Sequence, residues 1–216
     1  MTGLILKDIL VMRKSLKTYL LLILFYLILS AAGGLPISFC LSFIEVLLMV
    51  LPLSAFAYDE LSHWDKAVFA LPLSRQTVVK ARYGFLLLLV LISAALSGLL
   101  CIFFSLTGRA ELLETLASVL ACLGVGMLIP AFMLPLNYKL GRERAQPFLY
   151  VFVIGGALVV FALSKFSKYG LVDLSFLGSV SDKQAFLLFA AFPLVGLAAL
   201  WISFHISSAI EIRKDL

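Results

Sequence analysis

Charge is scarce in this chain. Asp, Glu, Lys and Arg make up 13% of its 216 residues, against about a quarter in soluble domains, and 63% are hydrophobic with a mean hydropathy of +1.13. No stretch is polar enough to build a soluble domain, so most of the chain needs lipid as its solvent. Histidine is limited to His63 and His205, neither with a second ligand at metal spacing, and HExxH, paired-carboxylate and Ser-His-Asp patterns are missing. Those absences exclude the usual constellations for intramembrane hydrolysis and metal chemistry. The only cysteines, Cys40, Cys101 and Cys122, sit in apolar runs without a CxxC pair and read as small packing residues. A GxxxxGK[ST] phosphate loop is also absent, so the chain does not cradle nucleotide in that way. The net charge of +5 does not point to nucleic acid, because the basic residues lie in short clusters between apolar runs and form no stripe.

What is present is a series of long apolar runs. Between Lys17 and Tyr58 the only charge is Glu45. A continuous helix over that run would be about 60 Å long, twice the hydrocarbon thickness, so the chain must fold back. The break falls at 31–36, Ala-Ala-Gly-Gly-Leu-Pro, where glycine loosens the helix and Pro36 bars its preceding residue from helical geometry. The expectation is an all-α integral membrane protein with six spans near 18–34, 37–57, 83–107, 115–137, 146–164 and 185–208, each close to the ~20 residues needed to cross. The first run reads as a retained anchor, too long for a cleaved signal segment.

Six spans put both termini on one side together with Lys7, Arg13, Lys14, Lys17, Lys66, Arg75, Lys80, Arg82, Lys139, Arg142, Arg144, Arg213 and Lys214. The opposite side keeps Arg109, Lys165, Lys168 and Lys183. That imbalance predicts cytoplasmic termini and a cytoplasmic loop at 58–82. Residues 2–17 plot as an interfacial amphipathic helix, with Lys7, Arg13, Lys14 and Lys17 on one arc and Leu4, Ile5, Ile9, Val11, Met12 and Leu16 opposite, broken by Asp8.

The 58–82 loop is the longest charge-dense stretch. A short helix is expected there from about Asp59 to Leu71, its acids Asp59, Glu60 and Asp65 biased towards the N-terminal half, where they complement the helix dipole. Trp64, Val68 and Leu71 form one apolar face; Pro72 stops the helix, and Ser74 caps the next one, which carries Arg75 and Lys80. Such a face suits either a partner's groove or the lipid surface.

These residues resemble the signature between spans two and three of the small six-span type-2 ABC exporter permeases. Asp59-Glu60, Trp64-Asp65, Leu71-Pro72-Leu73-Ser74-Arg75 and Lys80-Ala81-Arg82-Tyr83 fill its places, and Leu6-Lys7-Asp8 with Arg13-Lys14 is similar to the family's elbow helix. The resemblance implies two permease subunits, identical or homologous, on two cytoplasmic ABC ATPase subunits in a bacterial plasma membrane. It implies a coupling helix seated on the ATPase through Asp59, Glu60, Trp64, Asp65, Val68, Leu71, Pro72 and Arg75. ATP and Mg would then belong to the partner chain, with no cofactor bound here and no catalysis by this subunit. It further implies short re-entrant helices in the outer connection at 165–184, and as cargo amphipathic or antimicrobial peptides or other hydrophobic compounds.

Glu45 is the one acid well inside a span. An ionisable group there costs about 2.5–3.5 kcal/mol to insert, so it must face protein or water. It reads either as a pathway residue or as a buried hydrogen-bonded group. Pro130, Pro135 and Pro193 mark kinks, and the small residues Ala94 and Gly98, together with Gly124, Gly126, Gly155 and Gly156, are candidates for close helix approach. The competing readings are an ion- or proton-coupled carrier, disfavoured by the near absence of ionisable residues in the spans, and a membrane immunity protein acting without an ATPase.

Overall fold

The computed structural model describes residues 2–62, 74–109, 111–168 and 182–213, and all the regular structure among them is helical. Seven helices occur among these residues: α1 (Thr2–Val11), α2 (Arg13–Ala31), α3 (Ile37–Leu61), α4 (Arg75–Leu106), α5 (Leu112–Leu140), α6 (Arg142–Lys168) and α7 (Asp182–Arg213).

The single helix predicted over 2–17 is two helices. The chain bends by 63° between α1 and α2, around Met12, whose side chain is fully buried. Met12 belongs to the same apolar cluster as Leu48, Leu51 and Phe85. Burying it there, while α1 lies along α4, requires the helix to turn. The break at 31–36 is present. Gly33 adopts φ +82°, a geometry glycine takes without steric cost, and its N–H with that of Gly34 closes on the carbonyls of Ser30 and Leu29.

A second correction concerns the end of α3. Asp59 does not begin a new helix; it lies in the last turn of α3, which runs on to Leu61. Acids are disfavoured at a helix C-terminus by the dipole, so Asp59 needs cations nearby. Beyond the break in description, Ser74 caps α4 as its sequence predicts, its Oγ accepting from the Thr77 N–H at 3.3 Å. Gly141, at φ +78°, closes α5 and turns the chain into α6.

Helix α3 packs against α4 and α5, and α5 makes its most extensive contact with α7. Glycine explains that last contact. A Cβ placed on Gly124 would stand 2.5 Å from the Phe192 carbonyl oxygen, and one on Gly196 would meet the Gly124 carbonyl oxygen and the Met127 sulfur at 2.9 Å. The two backbones therefore touch where only hydrogen fits. Met49, Leu86, Leu123, Met127, Leu134 and Leu200 fill the core shared by α3, α4, α5 and α7.

Among the described residues, four helices are long and apolar enough to cross a membrane: Ile37–Asp59, Gln76–Leu106, Leu112–Leu140 and Phe186–Arg213; the bent α1–α2 pair would make a fifth. Helix α2 by itself is short for a span. Arg13, Lys14 and Lys17 occupy its first turns, leaving 18–31, about 21 Å of uncharged helix against the ~30 Å hydrocarbon core. Helix α6, 27 residues long, is not among the four on its described residues.

Candidate functional site

Four charged side chains meet where α1, the end of α3 and the start of α4 converge. Lys7 Nζ lies 2.5 Å from Asp59 Oδ1 and 3.1 Å from Asp8 Oδ1. The Arg82 guanidinium reaches both acids, with Nη1 3.1 Å from Asp8 Oδ2 and Nη2 on Asp59 Oδ2. Asp8, Asp59 and Arg82 are 5%, 7% and 5% exposed, so three of the four charges are withdrawn from water. Two cations and two carboxylates sum to zero, which is what allows such a group to be buried at all.

The surrounding side chains fix this tetrad. The Arg82 guanidinium sits 4.6 Å from the centroid of the Phe56 ring, one turn before Asp59 on α3. Phe56 in turn meets Tyr138 of α5 edge-on at 5.3 Å. Beside it the Ser15 and Tyr58 hydroxyls bond at 2.8 Å, tying α2 to α3. The tetrad thus joins three helices through charge-assisted bonds, the strong kind in a low dielectric.

Its position matters more than its strength. Asp59 precedes residues 63–73 and Arg82 follows them, so both stems of that connector are pinned to α1. Displacing either stem must move α1 or break a buried ion pair. The arrangement is a mechanical joint between α1, α3 and α4.

The residues singled out from sequence are distributed around this joint. Asp59 is inside it. Glu60 lies in the last turn of α3 and Arg75 in the first turn of α4. Trp64, Asp65, Val68, Leu71 and Pro72 fall outside the described residues. Lys7 turns inward to the carboxylates, while Arg13 and Lys17 are exposed on α2, which also carries Lys14. The role of Asp8 is not legible in a helical plot of the sequence, because there it only interrupts an apolar arc. The signal was available: an acid on a lipid-facing arc needs a cation, and Arg82 was the basic residue nearest the next span.

Glu45 lies elsewhere, fully buried between α3 and α4. Ser97 Oγ donates to its Oε1 at 2.5 Å, while Oε2 has no hydrogen-bond partner among the described residues. Replacing Ser97 with Ala removes that donor and should lower stability by about 1–3 kcal/mol. Glu45→Gln keeps an acceptor for the same hydroxyl and should melt within a few degrees of the parent protein in detergent, which thermal unfolding followed by circular dichroism measures. A third polar contact joins α4 to α7, where the Tyr83 hydroxyl meets Ser203 and Ser207 at 2.6 and 2.9 Å. Among the described residues no group of three His, Cys, Asp or Glu side chains is placed to hold a metal.

Several long apolar helices, bonded to one another by small polar clusters and by one neutral buried tetrad, define a multi-pass helical membrane protein. Residues 3–211 match the model of the ABC-2 family transporter protein, and the chain belongs to that family, the membrane permeases of type-2 ABC transporters. Membership implies an ABC ATPase partner in general, and membrane subunits of this family are typically non-catalytic. Neither a curated protein nor a solved structure matches the chain.

Proposed function

We propose that this chain is the non-catalytic permease subunit of an ATP-driven exporter, coupled to a separate ATPase through residues 63–73. In this reading two ATPase copies and a second permease, identical or homologous, complete the assembly. Six spans cross a bacterial plasma membrane, both termini and the connector face the cytoplasm, and the cargo is an amphipathic or antimicrobial peptide or another hydrophobic compound. The family match over almost the whole chain carries the reading. The buried tetrad supports it, since it fastens both stems of the connector to α1 and gives a push on that connector a rigid path into α3 and α4. ATP-driven closure of the ATPases would then rock the helices between inward-open and outward-open states.

The test is co-expression with the stand-alone ABC ATPases of the source organism, followed by affinity capture and transport into vesicles. The parent protein should capture the ATPase and support ATP-dependent transport. Trp64→Asp with Leu71→Asp should lose both while leaving the permease folded. Undiminished capture and transport by that double variant would sink the proposal.

A further inference from the structure

A groove of about 750 Å³ runs between α4 and α7, with Tyr83 among its lining residues. Its size falls within the about 300–1,000 Å³ of small-ligand sites. Leu86, Leu87, Leu197, Leu200, Trp201 and Phe204 supply apolar wall, and Ala198 adds little side chain to fill it. The one charged lining residue is Lys80, exposed at one end. From Lys80 to Leu87 the α4 axis advances about 10 Å, so the groove extends from a cation near the helix start into the apolar middle of a membrane span.

We propose that this groove binds the acyl chain of an anionic phospholipid, with its phosphate on Lys80. Three observations select that occupant. The Tyr83 hydroxyl is already bonded to Ser203 and Ser207, which leaves the Lys80 ammonium and the Trp201 indole N–H, both donors, as the polar side-chain groups of the lining. Asp8 and Asp59, the acids at this end of α4, are neutralised by Lys7 and Arg82, and Lys80 has no ion pair among the described residues. The site therefore presents one positive charge above a long apolar slot, the complement of an anionic headgroup on a hydrocarbon tail. The walls belong to exposed faces of two helices apolar enough to span, so bilayer lipid reaches the groove directly.

Trp201 lines the groove and the chain has only one other tryptophan, Trp64. A Trp64→Phe variant in nanodiscs therefore reports on the site by fluorescence quenching with brominated lipid. Brominated phosphatidylglycerol should quench Trp201 with about fivefold higher relative affinity than brominated phosphatidylcholine, the preference one lysine near a membrane surface supplies. Adding Lys80→Gln should abolish the preference and leave the quenching. Adding Ala198→Phe should fill the slot and weaken quenching by both lipids. Lys139→Gln, an exposed cation at the end of α5 that does not line the groove, should leave the preference intact. The proposal is overturned if Lys80→Gln keeps the preference, or if Lys139→Gln removes it equally, which would make it bulk surface charge. It is also overturned if neither lipid quenches Trp201, as when a second copy of the chain covers the groove.

Discussion

Replacing Arg82 with Met should destabilise the protein by about 3–5 kcal/mol, the usual consequence of removing one partner from a buried charge cluster. The loss comes less from the vanished attraction than from what remains. Asp8 and Asp59 keep their carboxylates in a site 5% and 7% exposed, with Lys7 as the only cation left within salt-bridge distance among the described residues. A net charge of minus one is then stranded in a low-dielectric junction. The second variant that makes this specific is Asp8→Asn on the Arg82→Met background. It restores a neutral Lys7–Asp59 pair and should recover a measurable part of the loss, a coupling of about 1 kcal/mol or more in a double-mutant cycle. Thermal unfolding in detergent, with size-exclusion retention of the folded protein, reads both. An Arg82→Met protein that melts with the parent would show that the tetrad contributes nothing to holding α1, α3 and α4 together. Under the exporter reading, the recovered double variant should still transport poorly, because α1 would be tied to only one stem of the connector.

The other large effect lies at the far side of the core. Gly124→Ala should prevent α5 and α7 from meeting in their present register. A methyl group at residue 124 would stand 2.5 Å from the Phe192 carbonyl oxygen, part of a helix backbone that cannot rotate aside as a side chain does. The expected cost exceeds the about 1–3 kcal/mol of ordinary overpacking, since the clash can be relieved only by separating two long helices. Gly98→Ala and Gly155→Ala are the matched controls. No described atom lies within 4 Å of a Cβ at either position, and alanine is the better helix former by about 0.5–1 kcal/mol, so both should be neutral or slightly stabilising. Expression level and melting temperature separate the outcomes, and a Gly124→Ala protein as stable as Gly98→Ala would refute the close crossing.

Those glycines show what a single sequence makes legible here. Apolar run lengths and the Gly-Gly-Leu-Pro break overlap helices α2 to α7, though not their ends, because hydropathy and backbone sterics are local properties. The Ser74 cap is local too, and it is found. Which of the small residues is used is not local. Ala94 with Gly98 has the four-residue spacing of a packing motif, yet Gly98 meets nothing described within 4 Å, whereas Gly124 and Gly196 are 72 positions apart and touch. The tetrad is hidden for the same reason. Lys7 and Asp59 are separated by 52 positions, and Asp8 and Arg82 by 74, so no spacing rule connects them. The helix start expected at Asp59 is misplaced because an acid reads as an N-terminal signal, whereas Asp59 sits at a C-terminus with two remote cations, Lys7 and Arg82, satisfying it.

The tetrad also sets an order of assembly. Asp8 leaves the ribosome 74 residues ahead of Arg82. Until α4 has been threaded into the bilayer, the leading segment can pair Lys7 with Asp8 at 3.1 Å and with Asp59 of α3, but Asp8 and Asp59 still lack the Arg82 guanidinium that joins them. The first helix to be made therefore completes its buried junction only once the middle of the chain has been delivered, closing over it like a latch.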